Sequence, residues 1–204
     1  AVIDPVLDLD YASGTLTTRS ADEVIQYIRA HHLSLRYILE THIHADHLSS
    51  APFIREQLGG EVVIGSQITS VQDTFATARC DFPGGDARSL YESCQRLLEL
   101  ADDTRVFVCH DYQPGGRDIA FESTVAEQRA HNIHVGAGIS ADDFVAMREA
   151  RDADLDMPTL ILPSLQVNMR AGNLPPIDAS GRLFLKVPIN AFGGAALDRF
   201  ASEE

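Results

Sequence analysis

The 204-residue chain is poor in cysteine, in basic residues and in long apolar runs, and each shortage excludes something. Its three cysteines, Cys80, Cys94 and Cys109, are too few and too scattered for a disulfide framework or a zinc knuckle. They form no Cys-x-x-Cys pair, so a dithiol redox protein is a weak reading; Cys94 and Cys109 lie in apolar stretches that suit buried, inert thiols. A reducing, cytoplasmic compartment is therefore expected. Sixteen Lys and Arg stand against thirty Asp and Glu, a formal charge of −14. Such a chain repels phosphate backbones, which argues against a nucleic-acid partner. No apolar run approaches the ~18 residues of a membrane-spanning helix, and residues 1–5 carry no basic leader, so neither a membrane partner nor a secretory signal is expected. Repeats and low-complexity tracts are also missing.

What remains is ordinary globular composition, 45% hydrophobic and 23% charged, of a length that suits one domain over residues 1–204. Strand-like and helix-like segments alternate, which predicts an α/β layered fold. Val2-Ile3 and Val6-Leu7 read as one strand, and residues 11–19 as a polar loop. Ser20 with Glu23 reads as a capping box for a helix whose apolar face holds Val24, Ile25 and Ile28. Residues 35–39 and Val62-Val63-Ile64 read as strands. Between the latter two, residues 51–58 read as a helix stopped by Gly59-Gly60. Asp86 is placed to cap a helix carrying Leu90, Cys94, Leu97 and Leu98 on one side. Val106-Phe107-Val108-Cys109 predicts a buried strand ending at His110. Residues 123–131 and a segment opened by Ser140 and Asp143 predict two more helices. The run Leu160-Ile161-Leu162 is expected to stop at Pro163, residues 173–181 to form a surface loop, and residues 183–187 a last short strand.

Thr41-His42-Ile43-His44-Ala45-Asp46-His47 is the informative stretch. Three imidazoles and a carboxylate fall within six residues just past a strand end. Imidazole nitrogen and carboxylate oxygen are the ligand set of zinc, iron or manganese, and a strand-end loop lets alternate side chains converge on one point. His110 also follows an apolar strand directly. Parallel strands would bring His42 and His110 to the same carboxyl edge, where open α/β sheets bind ligands. The other histidines, His31, His32, His131 and His134, read as surface or capping residues.

The pattern His42-x-His44-x-Asp46-His47 resembles the signature of the metallo-β-lactamase superfamily. Four further stretches resemble its persulfide dioxygenase branch, which sits near the glyoxalase II hydrolases: Ala78-Arg79-Cys80-Asp81-Phe82, Cys109-His110-Asp111-Tyr112, Ser123-Thr124-Val125-x-x-Gln128-Arg129, and Val167-Asn168-Met169-Arg170-Ala171-Gly172. The resemblance implies an αββα sandwich and one Fe(II) per chain, held by two histidines and an aspartate with open positions for substrate and oxygen. The implied reaction takes glutathione persulfide, a small-molecule thiol persulfide, with O2 and water to sulfite and glutathione. Carried over by motif, His42 is an iron ligand. His44, Asp46, His47 and His110 match the second metal position of the hydrolases; in the dioxygenase branch that position stays empty and these side chains support the iron site from outside. Arg79 and Tyr112 match positions at the site mouth. A guanidinium there suits the glutathione carboxylates, and the tyrosine hydroxyl is a candidate donor to persulfide or oxygen. The plainer readings are an Arg79 ion pair with Asp81 or Asp86 and a packing role for Tyr112. Arg170 is either a second anion contact or a brace for the C-terminal segment. Family members commonly pair, which implies a homodimer.

The chain also departs from the family pattern. The resemblance implies a missing hairpin strand before Val2 and several dozen missing residues between Ala76 and Thr77. That stretch carries a Thr-Pro-Gly-His and a Gly-Asp motif, the source of the second iron histidine and the iron aspartate. Two accounts are open: a stretch of chain not represented in the sequence, or a true deletion. Intact flanking motifs and the unpaired sheet edges a deletion would leave favour the first. A true deletion predicts weak or absent iron binding and no turnover. Two rivals to the dioxygenase remain: a glyoxalase-II-like thioester hydrolase with two metals, zinc being the alternative to iron, and a non-catalytic remnant that keeps the fold without a complete metal site.

Overall fold

Strand β4 (Tyr37–Glu40) sets the frame of the histidine loop, because it lies in the middle of a parallel three-stranded sheet. Its neighbours are β1 (Val2–Ile3) and β6 (Glu61–Ile64), with Val2 opposite Ile38 and Ile38 opposite Val62. The structure is a computed structural model that describes residues 1–65, 86–136 and 138–187. The junction of Ala76 and Thr77, and Arg79 with it, lies outside the described residues. The chain divides into two units, Ala1–Gly84 with Asp156–Glu204, and Gly85–Leu155.

In the first unit, helices α1 (Arg19–Ala30) and α2 (Ala51–Leu58) cover the parallel sheet. Ala21 and Ile25 from α1, Ala51 and Ile54 from α2 and Ile38 from β4 form one buried cluster, with Val2, Phe53 and Val62 packed around it. Each large aliphatic side chain removed from water there contributes about 1.5–3 kcal/mol. Gly59, at φ 74°, ends α2 where the sequence places the stop.

The N-terminal strand is two strands rather than one. Asp4 turns the chain at φ 49°, and Pro5 after it has no N–H to give a ladder. Strand β2 (Val6–Asp10) therefore leaves the parallel sheet and pairs antiparallel with β3 (Thr15–Thr17) and β5 (Leu48–Ser49). Residues 11–19 thus hold a strand as well as a loop; Asp10 closes the hairpin by accepting from the N–H groups of Ala12 and Ser13. The capping box at Ser20 is also absent. Helix α1 starts at Arg19, and its Ser20 gives both its N–H and its hydroxyl to the carboxylate of Asp8 on β2, at 3.0 and 2.8 Å. A carboxylate from the neighbouring strand does the work expected of a local serine.

Helix α6 (Ile161–Asn168) runs through Pro163 instead of stopping there. The proline sits in the first turn, where no N–H is needed for the helix ladder. Residues 183–187 form no strand; Gln166 of α6 accepts from the Lys186 N–H and donates to its carbonyl, both at 2.7 Å, in place of a strand partner.

The second unit holds α3 (Ala87–Leu98), β7 (Arg105–Phe107), β8 (Glu122–Thr124), α4 (Val125–His131) and α5 (Ala141–Asp152). Asp86 caps α3 at the Ser89 N–H, Ser140 caps α5 at the Asp143 N–H, and Thr124 and Glu127 form a full capping box on α4. Tyr91 of α3 meets Phe144 of α5 with ring centroids 5.5 Å apart. Strand β7 corrects the expectation of a buried parallel strand before His110. It pairs antiparallel with β8, and Phe107 and Val108 are 56% and 42% exposed. Cys109 is exposed and Cys94 half-buried, so only Cys94, whose thiol burial pushes up in pKa, resembles the inert thiol expected of both. Among the described residues no helix is long and apolar enough to cross a membrane.

Candidate metal centre

The loop 41–47 leaves the carboxyl end of β4, and period-two alternation carries into it. Ile43 and Ala45 are buried against Ile161 and Leu165 of α6, with Leu162 and Met169 beside them. Residues between those pegs are thereby turned the other way, and the three imidazoles gather. The His44 ring lies 4.0 Å from that of His42 and 4.1 Å from that of His47, centroid to centroid. His44 is buried, His42 and His47 are half-buried, and Asp46 is the exposed member.

Carboxylates surround His44. Its Nε2 lies 3.0 Å from Asp4 Oδ1 and 3.8 Å from Glu40 Oε2, and its Nδ1 lies 3.8 Å from Asp46 Oδ1. His47 Nδ1 lies 3.4 Å from the other oxygen of Asp46. Asp4 follows β1 as Thr41 follows β4, so both stand at the carboxyl edge of the sheet. Asp4 is tied there by the Thr41 N–H and hydroxyl, both at 2.7 Å. The Thr41 hydroxyl also lies 2.8 Å from His42 Nδ1. Asp4 keeps a left-handed backbone at φ 49°, a conformation Asp tolerates at modest cost and one that concentrates at functional sites. The Ser49 hydroxyl donates to Glu40, so β5 closes the far side of the carboxylate group.

These surroundings set the charge states. Burial pushes His42 down to about 4, with neighbouring His44 adding to the shift, so this imidazole is neutral at physiological pH and its lone pair is available. Burial also lowers His44, against the opposing pull of Asp4. Burial drives Glu40 up to about 7, and the charge of Asp4 reinforces it. Asp4 goes the other way: burial raises it, but the hydrogen bonds from Thr41 and His44 prevail and hold it below the usual carboxylate value.

The donors fit a metal ion. His44, Asp46 and His47 each offer one ligand atom, all within 4.8 Å of one another; Asp4, Glu40 and His44 form a second such group. Among the described residues, Nδ1 of His44 and Nε2 of His47 are buried without a hydrogen-bond partner, while Nε2 of His44 faces Asp4 Oδ1 at 3.0 Å. Buried polar nitrogens left this way cost free energy, and a cation at the loop would remove the cost. His42 belongs to neither group, although its ring touches that of His44.

Outside the loop, the residues expected at the site fall as follows. Arg170 follows α6 in the first unit and is exposed. His110 and Tyr112 lie in the second unit, their rings parallel within 11° at 5.9 Å, and Tyr112 is 80% exposed. A cavity of about 540 Å³, within the range of small-ligand pockets, borders the loop on the β2–β3 side. Asp46 and His47 line it together with Asp8, Asp10, Thr15 and Arg19. Sequence reasoning missed Asp4, Glu40 and Ser49. Asp4 was readable in part, as an acid between a strand and a proline; Glu40 sits four residues before His44, a spacing that carries no metal signal on its own.

Comparison with known proteins fits this geometry. The sequence profile of the Metallo-beta-lactamase superfamily matches residues 1–71, which contain the loop. A probable metallo-hydrolase of Burkholderia pseudomallei (strain 1710b) is 40% identical over 267 residues, covering 94% of this chain and 91% of its own. That aligned length exceeds the 204 residues of this chain, so the relative carries stretches with no counterpart here. The mitochondrial persulfide dioxygenase ETHE1 of Homo sapiens is 25% identical over 223 residues, covering 86% of this chain and 80% of its own. The crystal structure of ETHE1 from Myxococcus xanthus matches with a TM-score of 0.62 at 25% identity, covering 84% of this chain and 88% of its own. The chain belongs to the metallo-β-lactamase superfamily, with that superfamily's α/β fold, in the glyoxalase-II-like branch that includes the persulfide dioxygenases.

Proposed function

We propose that the protein is an Fe(II)-dependent persulfide dioxygenase that takes glutathione persulfide, O2 and water to glutathione, sulfite and two protons. An enzyme of the metallo-β-lactamase superfamily is the coarser statement, and it follows from family membership. The finer reading is carried by the likeness to the Myxococcus ETHE1 structure over 84% of this chain.

Iron with His42 as a ligand would supply a redox centre for oxidation of the persulfide sulfur by O2; the second histidine and the aspartate that the resemblance implies belong to the stretch missing between Ala76 and Thr77. The chain's own residues do the rest. His42, neutral and with Nδ1 engaged by Thr41, presents Nε2 as a donor. His44, Asp46 and His47 surround that position with polar groups that fix imidazole orientation. Asp46 and His47 also border the 540 Å³ cavity, so a substrate seated there meets the loop. The substrate is anionic and the chain carries −14, so local arginines have to offset the field; Arg79 and Arg170 are assigned that role, and Tyr112 that of a hydroxyl donor to persulfide or oxygen. The protein needs no nucleic-acid or membrane partner for this chemistry, and pairing of two copies is compatible with it.

The test is O2 uptake by iron-loaded protein with glutathione persulfide, read beside sulfite release and metal content. One iron per chain with matched O2 consumption and sulfite supports the reading; an iron-loaded chain that consumes no O2 with persulfide overturns it. A second reading, a two-metal thioester hydrolase, is favoured by the grouping of His44, Asp46 and His47 and by the 40% identical relative named a metallo-hydrolase. It predicts two metals about 3.5–4 Å apart and hydrolysis of a glutathione thioester.

A further inference from the structure

We infer that Asn168, at the end of α6, is the positioning residue of the metal loop, and that the segment from Asn168 to Gly172 is a brace that sets the histidine side chains from the far end of the chain. This inference rests on the reading of loop 41–47 as the metal centre.

The side-chain amide of Asn168 is buried and directs its oxygen and its NH2 group to the loop and the strand that follows it. Its Oδ1 accepts from the Ser49 N–H at 2.7 Å. Its Nδ2 donates to the carbonyl of His44 at 2.9 Å and to that of His47 at 2.8 Å. Only a primary amide offers one acceptor and two donors from a single short side chain. The orientation of the amide is fixed by its partners, since the N–H of Ser49 demands an oxygen and two carbonyls demand the NH2 group. Aspartate would keep the bond from Ser49 and turn an oxygen toward two carbonyls.

Two of the three contacts are to the peptide groups of His44 and His47, whose Nδ1 and Nε2 respectively are buried without a hydrogen-bond partner among the described residues. Fixing the His44 and His47 carbonyls fixes where their Cα–Cβ bonds point. The Ser49 contact ties the same amide to the strand whose hydroxyl engages Glu40.

An independent observation places the segment tightly. After Asn168 the helix unwinds through Ala171 at φ 53° and Gly172 at φ 82°, with the Gly172 N–H returning to the Val167 carbonyl at 3.1 Å. A Cβ on Gly172 would lie 2.6 Å from Pro52 Cδ and 2.9 Å from the Ser49 carbonyl oxygen. The backbone at Gly172 is thus pressed on the strand–helix junction that follows the metal loop, while Ile161 and Leu165 of the same helix grip Ile43 and Ala45 inside it. A helix that packs the loop's apolar pegs, bonds its peptide groups and closes on its exit holds it from three sides.

Asn168→Asp and Asn168→Ala test this, with Co(II) as the probe. Affinity is measured where circular dichroism and thermal unfolding show each variant folded. A 10–100-fold loss of Co(II) affinity is expected in both, the usual effect of removing a partner that orients a ligand, with a shifted visible absorption band at saturation. A role in fold stability alone moves neither readout in a folded variant. In the metal-free chain, the His44 and His47 ring-proton signals should move in both variants. The Ser49 amide should stay protected from exchange in Asn168→Asp and lose protection in Asn168→Ala. Folded variants with wild-type Co(II) affinity, an unchanged band and unmoved ring signals overturn the inference. A wild-type chain that takes up no Co(II) overturns the metal-centre reading instead; moved ring signals then still support the brace, and unmoved ones overturn it.

Discussion

Nε2 of His44 lies 3.0 Å from Oδ1 of Asp4, the residue that ends β1 in a left-handed turn. The contact joins the carboxyl ends of two neighbouring parallel strands. It gives the buried imidazole a negative partner whose own charge is held by the Thr41 hydrogen bonds. Asparagine tolerates the left-handed backbone as aspartate does, so Asp4→Asn removes the charge and keeps the turn. Metal affinity should fall by about 10–100-fold in that variant, read by competition with a chelating dye. Unchanged affinity would mean that Asp4 serves the turn alone.

Gly172→Ala should destabilise the protein by about 1–3 kcal/mol. The new methyl meets Pro52 and the Ser49 carbonyl well inside contact distance, and φ 82° disfavours any side chain. Urea unfolding should show a lower midpoint at an unchanged slope, the signature of altered stability rather than altered compactness.

Much of this architecture was legible because it is local. The stop at Gly59, the caps at Asp86 and Ser140, and the histidine cluster each depend on residues a few positions apart, and each stands where the pattern places it. Failures came where a partner distant in sequence overrides a local signal. Ser20 has the spacing of a capping box, but the Asp8 carboxylate on a neighbouring strand takes its N–H. Pro163 looks like a stop, yet falls in the one turn of a helix that tolerates it. Of the carboxylates around His44, Asp4 and Glu40 come from two strand ends, and the amide that holds the loop comes from α6. No local spacing records such meetings. His110 shows the converse: an apolar run ahead of it suggested a buried parallel strand, and that run is instead exposed in an antiparallel pair.

Asp8 gives a pH-dependent prediction away from the loop histidines' titration. Burial raises its pKa, but the Ser20 hydrogen bonds, helped by Arg19, bring it below its ordinary 3.8. A carboxylate with a depressed folded-state pKa contributes stability above the unfolded value, and loses it as pH falls through the folded one. Asp8→Ala should therefore cost about 1 kcal/mol near neutrality, the usual cost of a lost helix cap. The gap between wild type and variant should narrow as pH drops below 3.8. Urea midpoints of the two proteins between neutral pH and acid measure it; a gap that stays constant through that range would show that Asp8 acts by packing.

Metal content in two histidine variants separates the two chemistries. In the dioxygenase reading His42 binds the iron directly, while His47 orients the site from outside. His42→Ala should then lose iron, and His47→Ala should keep one iron per chain at an affinity lower by about 10–100-fold. In the hydrolase reading His47 is a ligand of the second of two metals, so His47→Ala should drop the count from two to one. Geometry alone makes this a real contest, because His47 shares a ligand group with His44 and Asp46, whereas His42 does not. Inductively coupled plasma mass spectrometry on protein purified without oxygen and loaded with iron or zinc gives the counts. Iron retained at one per chain in His47→Ala and lost in His42→Ala would place the metal on the first histidine of the loop; a fall from two metals to one would place the second on Asp46 and its neighbours.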